Sequence, residues 1–327
     1  MMPAEFEPHR STLICWPVRE EIYGSRLADA ERAHTLLART IVDFEPVVMI
    51  APPGQGERAQ EACGPGVNVV EIPIDDAWCR DSGPIYVRDD EGELVALDFT
   101  FNGWGEKFLP FDHDDDLAHR IAAHLGDTSR RIDMVLEGGS INVDGLGVLV
   151  TTEQCLLNPN RNPTMTRDQI AGVLERELGT DSIVWLPHGL ALDHDTDGHV
   201  DNVAAFTPTG HLLLQGCDDA AEEDHARCAE NETAAARVAD EFGFEVASLP
   251  VLPFIETDRG RRVVPYLNFY VGNGFVIVPV CGHAADDDMT HMIGEFFPGR
   301  RIVPLDIGEI LAIGGGGIHC ITQQVPA

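Results

Sequence analysis

The chain reads as an α/β protein in which one unit, a hairpin followed by a helix and a further strand, recurs five times and closes on itself. Five stretches carry helical periodicity, Glu20–Phe44, Asp115–Leu125, Thr166–Leu178, Ala220–Phe242 and Asp286–Phe297. Several run into glycine, which tolerates the left-handed backbone common at helix C-termini. Each is followed by a short β-branched or apolar run, and turn residues mark the hairpins between them.

The first helix leads into Val47–Ala51 and Val67–Ile72. A hairpin of Ile85–Val87 and Leu94–Leu97 then turns at Asp89-Asp90-Glu91-Gly92, and Arg131–Leu136 follows the second helix. Asp144-Gly145, a pair that favours tight hairpin turns, joins Ile141–Val143 to Val148–Thr151, with Ser182–Leu186 after the third helix. Pro208-Thr209-Gly210 joins Val203–Phe206 to Leu212–Gln215, and Glu245–Leu249 follows the fourth. Gly272-Asn273-Gly274 joins Leu267–Val271 to Phe275–Val280, and Arg301–Leu305 follows the fifth. The remaining hairpin pairs Ile318–Thr322 with Thr12–Trp16, so the two termini complete one unit. Units of roughly 50 to 80 residues repeated this way suggest a ring of modules. Its closure leaves no exposed sheet edge. The expectation is one domain, 1–327.

Composition narrows the function. The 327 residues are 44% hydrophobic, with no apolar run long enough to span a bilayer. The N-terminus is acidic where a secretory signal needs a basic patch and an apolar run. Eight scattered cysteines show neither Cys-x-x-Cys nor a zinc-site spacing. Reduced thiols in a cytoplasm are expected. The net charge of −33, with Lys107 as the only lysine, repels nucleic acid and anionic membranes and attracts cations. A small cationic substrate fits; a homo-oligomer remains open.

The loops entering the hairpins hold the unusual polar clusters. They are Asp75 to Pro84, Leu136 to Ser140, Leu192 to Asn202, the quieter Tyr266-Leu267-Asn268, and the turn Gly314 to Gln324 with Cys320. In a ring these loops face one point, so Asp81, Glu137, His199, Asp201 and Cys320 converge. A cysteine attacks as thiolate, a histidine shuttles the proton, and Glu137 could orient and charge that histidine. Two further carboxylates would raise the thiol pKa unless a cation lies between them. Guanidinium, planar and permanently charged, matches paired carboxylates. Asp81 and Asp201 would hold it flat while Cys320 attacks its central carbon. The glycines would give it clearance.

These residues also carry a family resemblance. Pro3 to Phe6 with His9 to Pro17, Trp78-Cys79-Arg80-Asp81-Ser82-Gly83-Pro84, Phe101 to Gly105, Glu137-Gly138-Gly139-Ser140, Asn158 to Pro163, Asp197 to Asn202 and Gly314 to Gln324 together resemble the agmatine deiminases (agmatine iminohydrolases) over almost the whole chain. That family lies in the guanidino-group-modifying, or pentein, superfamily and is related to Porphyromonas-type peptidylarginine deiminases. The resemblance implies a five-bladed α/β propeller of ββαβ modules, with Cys320 as nucleophile, His199 as acid and base, Glu137 as the superfamily glutamate, and Asp81 and Asp201 on the guanidinium. It places Asp195 on the substrate and makes Trp78 a flat wall beside it. It implies hydrolysis of agmatine to N-carbamoylputrescine and ammonia, in putrescine formation, with neither metal nor cofactor. Peptidylarginine or arginine deimination, and amidino transfer, are the alternatives. Three departures from the family pattern, Gly317, Asn142 and the Asp193 to Thr196 stretch, bear on substrate detail. Arg80 and Arg161 are the cations that a substrate carboxylate could use, and a structural ion pair is the expected role of each.

Overall fold

Five small sheets of one topology organise the mixed α/β fold, described in a computed structural model covering residues 1–327. In four of them an antiparallel hairpin is extended by a parallel strand that arrives after a helix. These are Ile85–Arg88, Leu94–Thr100 and Thr128–Val135; Ile141–Val143, Val148–Thr152 and Ser182–Leu186; Ala204–Phe206, His211–Gln215 and Glu245–Leu249; and Tyr270–Gly272, Phe275–Pro279 and Arg301–Leu305. The fifth joins the termini: Thr322–Pro326 pairs antiparallel with His9–Cys15, which pairs parallel with Val47–Ala51 and through it with Asn68–Glu71. The parallel step requires a crossover, and the helices Leu27–Ile41, Leu117–Leu125, Arg167–Leu178, Glu223–Ala236 and Asp286–Glu295 supply it.

The apolar runs are nearly continuous because the central strands are buried on both faces. Side chains alternate across a strand. Thus Leu13 and Cys15 enter one cluster with Tyr86, Ala96 and Leu117, whereas Ile14 and Trp16 enter another with Phe275 and Ile277. The same division recurs along the chain. Leu97 packs with Ile141 and Leu149, Val150 with Leu212 and Leu214, and Leu213 with Val276 and Val278. Each of the five clusters therefore lies between two successive sheets, the last between Tyr270–Pro279 and the N-terminal strand.

Several elements depart from the sequence expectation. The first helix breaks at Gly24 (φ 54°), giving Glu20–Tyr23, a 3-10 turn and Leu27–Ile41. The fourth likewise divides, into Glu223–Ala236 and Ala239–Phe242, while the second starts at Leu117 rather than Asp115, behind a separate helical turn at Asp112–Asp115. The third starts where Thr166 and Gln169 form a capping box. The C-terminal strand is Thr322–Pro326 rather than Ile318–Thr322, which leaves Cys320 in the turn before it. A helix at Gly56–Cys63 and a hairpin at Phe254–Thr257 and Gly260–Val263 are additional. No helix is long and apolar enough to cross a membrane, and all eight cysteines are unpaired.

Candidate active site

The loops that enter the hairpins do meet. Their polar groups are buried where five apolar clusters leave off: Glu137 and His199 are wholly inaccessible, and Asp81, Asp201 and Cys320 nearly so. Gly139 marks the meeting point. A Cβ placed there would lie 2.6 Å from His199 Nδ1, 2.8 Å from Asp81 Oδ1 and 3.0 Å from Asp201 Oδ2. Glycine is what allows three reactive groups from three loops to share that space.

Each group is held by its own partners. The one-turn helix Cys79–Ser82 carries Asp81, whose Oδ1 accepts from the Gly139 N–H (3.0 Å) and Oδ2 from the Trp104 indole (2.9 Å). Trp104 reaches it from a left-handed backbone position (φ 56°), a conformation costly for a bulky residue and of the kind kept at sites that need it. The Cys320 thiol lies 3.3 Å from Asp201 Oδ2, and Asn268 Nδ2 donates to the sulfur at 3.2 Å. Asp201 also accepts from His319 Nδ1 at 2.9 Å, while its Oδ1 has no partner. His199 Nδ1 stands 3.7 Å from Asp81 Oδ1, and neither ring nitrogen is hydrogen-bonded.

Glu137 is occupied differently from the expected third member of a triad. Its Oε1 accepts from Arg161 Nε at 2.5 Å and its Oε2 has no partner, so the carboxylate stands within 4.8 Å of a His199 ring nitrogen without bonding to it. Arg161 is wholly buried and also grips Asp197 Oδ2 at 2.7 Å. Arg80 is buried against Glu5 (3.2 Å). Both arginines are therefore structural cations, already paired. Glu137, Cys155 and His199 place potential metal donors within 4.8 Å of one another; the chemistry set out below uses the same ring nitrogens for a proton.

The electrostatics suit a cation. Burial, outweighing the attraction of His199, raises Asp81 to about 6, with Asp201 and Glu137 adding repulsion. Burial and then Asp201 and Asp81 hold the Cys320 thiol well above its ordinary value, against donors from Gly317 and Asn268. Burial would lower His199, but Asp81, Cys155 and Glu137 raise it well above the usual imidazole range. Without a ligand the thiol is neutral and the imidazole charged.

A narrow cleft opens beside Cys320, walled by Trp78, Asp81, Trp104, Phe108 and Asp195. The glycine run has a specific reason here. Side chains at Gly314, Gly315, Gly316 and Gly317 would meet Tyr23 Oη at 2.4 Å, Asp195 Oδ2 at 2.7 Å, the Trp78 ring at 2.5 Å and Asn268 Oδ1 at 2.3 Å. Clearance is given to the walls of the cavity, rather than to a ligand alone. Lys107, next in sequence to the wall residue Phe108, has its ammonium 2.7 Å from Asp197 Oδ1 and from the His194 carbonyl.

Asp81, Glu137, His199, Asp201 and Cys320 are thus brought together, with Trp78 and Asp195 on the adjoining cavity. Sequence reasoning left His319, Asn268 and Trp104 outside the set of candidates. Trp104 and His319 stand inside motif segments, so their signal was position beside Gly103 and Cys320. Asn268 was noticed only as a quiet loop.

The chain has full-length relatives among known proteins. Residues 1–326 match the family model for Porphyromonas-type peptidyl-arginine deiminase. An agmatine deiminase from Stutzerimonas stutzeri is 41% identical, covering 100% of this chain and 95% of its own length, and one from Pseudomonas aeruginosa is 38% identical over the same shares. Among solved structures, the agmatine deiminase of Enterococcus faecalis superposes with a TM-score of 0.93 at 32% identity, covering 99% of this chain and 95% of that one. With full-length matches in sequence and in structure, the chain belongs to the Porphyromonas-type peptidyl-arginine deiminase family, alongside the agmatine deiminases that it resembles.

Proposed function

We propose that this protein hydrolyses the guanidinium group of agmatine to N-carbamoylputrescine and ammonia, with Cys320 as nucleophile. The observation that carries the reading is the meeting of Asp81, Asp201 and His199 at Gly139, with the Cys320 thiol 3.3 Å from Asp201. The guanidinium lies between Asp81 and Asp201, so the charge that held the thiol protonated is neutralised and Cys320 can ionise. The thiol proton leaves past its contact with Asp201 to solvent as the cation enters, so Asp201 is an anion when Cys320 attacks. Cys320 Sγ forms a bond to the central carbon, His199 protonates the departing nitrogen, and ammonia leaves a cationic amidino-thioether. Water, deprotonated by His199, adds to that carbon; the C–S bond breaks and the ureido product is released. Glu137, beside His199, supports the protonated form of that ring. The chemistry calls for no metal or organic cofactor, because the substrate supplies the electrophile.

Asp195 and Trp78, on the same cavity as Cys320, are assigned to the substrate's tail and flank. Asp195→Asn should raise KM for agmatine about tenfold, the scale of one lost charge-assisted hydrogen bond, with kcat little changed. Steady-state ammonia release measures both constants; an unchanged KM would move the amine elsewhere. Because Asp81 must be anionic to hold the cation and sits at about 6 in the free protein, kcat/KM should fall as pH drops below that value. A profile flat down to pH about 4, the ordinary carboxylate value, would remove Asp81 from that role.

The five sheets are read as blades of a propeller forming one domain, 1–327, supported by apolar clusters that link each sheet to the next and the last to the first. We place the reaction in the cytoplasm, as part of putrescine formation. Ammonia release from agmatine, arginine and a blocked arginine peptide, compared side by side, tests the assignment. Preference for the peptide would favour a peptidylarginine deiminase, and product formed only with an added acceptor amine would make the protein an amidinotransferase.

A further inference from the structure

The two carboxylates of the guanidinium site are pushed in opposite directions although both are buried in the same place. Asp81 has only neutral donors, the Trp104 indole and a backbone N–H, and is raised to about 6. For Asp201 burial pulls the same way, but the hydrogen bond and charge of His319 outweigh it and hold the carboxyl below its ordinary value. What differs is the group behind it.

His319 Nδ1 lies 2.9 Å from Asp201 Oδ2, and its Nε2 lies 2.9 and 3.0 Å from the two oxygens of Glu5. An imidazole with one proton can donate on one side only, and its other nitrogen would then present a lone pair to a carboxylate. A ring held between two carboxylates is held as the cation. Glu5 is in turn 3.2 Å from Arg80 Nη1, which also donates to Gln324 Oε1 at 2.8 Å. Arg80, Glu5, His319 and Asp201 form a buried row of alternating charge. It runs from the N-terminal segment to the thiol. Burial and then Arg80 oppose the charge on His319, and Glu5 and Asp201 overcome both; Glu5 itself, against burial, is brought down to about 2 by His319 and Arg80.

We propose that Glu5 and His319 are positioning residues of the guanidinium site, Glu5 fixing His319 as a doubly protonated ring and His319 fixing Asp201 as an oriented anion whose free Oδ1 faces the substrate. This rests on the assignment of Asp201 to the guanidinium. Without the cation behind it, Asp201 would face burial and Asp81 as Asp81 now does, and would take up a proton in the same range. The charged or titratable groups around the row are Arg80 and His9 at Glu5, Asp201, Glu5 and Arg80 at His319, and His199, Asp81 and Cys320 at Asp201. The His319 backbone N–H is taken by Asn268.

Glu5→Gln and His319→Gln test it. Each should steepen the acid limb of kcat/KM with agmatine from one proton to two and move it upward, because Asp201 then titrates alongside Asp81. Each should also weaken agmatine binding about tenfold in a Cys320→Ala background, measured by calorimetry at neutral pH. A lowered Tm with an unmoved acid limb and unchanged affinity would make the row a scaffold and overturn the proposal. Neutron diffraction from wild-type crystals needs no variant: deuterium on both ring nitrogens of His319 is expected, and a singly deuterated ring would overturn the proposal even if neither variant folds. Absence of ammonia release by the wild type would sink the functional reading alone, since the protonation of His319 is read without substrate.

Discussion

Cys320→Ser should lower ammonia release from agmatine by at least about four orders of magnitude, as loss of a nucleophile does in enzymes that form covalent intermediates. Serine preserves the shape of the turn, so the loss would belong to the chemistry. Its hydroxyl ionises far above a thiol, and the site offers it no strong base: His199 stands near Asp81 rather than on the residue at 320, and is itself held as the cation. The nearest acceptor is Asp201, which is anionic but weakly basic. Binding should survive, because Asp81, Asp201 and Asp195 are untouched. Agmatine titrated into Cys320→Ser by calorimetry should give an affinity within a few-fold of the wild-type KM. Retained turnover would remove Cys320 from the mechanism, and lost binding would show that the thiol shapes the pocket.

Deleting residues 318–327 should abolish the fold as well as the activity. The deleted strand Thr322–Pro326 is buried throughout and pairs along His9–Cys15. Ile318, Ile321 and Val325 are fully buried, and at about 2 kcal/mol for each side chain their loss alone approaches 6 kcal/mol. That is comparable with the whole stability of an ordinary domain, about 5–15 kcal/mol. The exposed flank of His9–Cys15 would add an unpaired edge, and aggregation is the expected fate. Near-ultraviolet circular dichroism and size-exclusion chromatography would report it. A soluble, cooperatively melting product would mean that the N-terminal sheet stands without its closing strand.

The sequence made the repeat legible because strands buried on both faces are written as unbroken apolar runs. Val47–Ala51 is such a strand and lies at its expected bounds; Ser182–Leu186, Glu245–Leu249 and Arg301–Leu305 do so too, although they are only partly buried. The hairpin Phe254–Val263 was missed for the opposite reason: Glu256, Asp258, Arg259 and Arg261 give it no apolar face to reveal a period. The displaced C-terminal strand reflects a conflict that composition hides, since Ile318 to Ile321 look like a strand but are held in a turn by Asn268, which accepts from the His319 N–H. In the site, residues of conspicuous chemistry were found and their supports were not. His319 acquires its meaning from Glu5, 314 positions away, and no local pattern records that distance. Glu137 shows the converse: its type was informative, but its partner Arg161 could be seen only in three dimensions.

Lys107, the sole lysine, bridges the Trp104 segment and the loop of Asp195 and Asp197. Outside the N-terminal amine, every reagent that seeks primary amines thus has one address on this protein, and it is the rim of the active site. Coupling to an amine-reactive support would tether the enzyme by its own doorway.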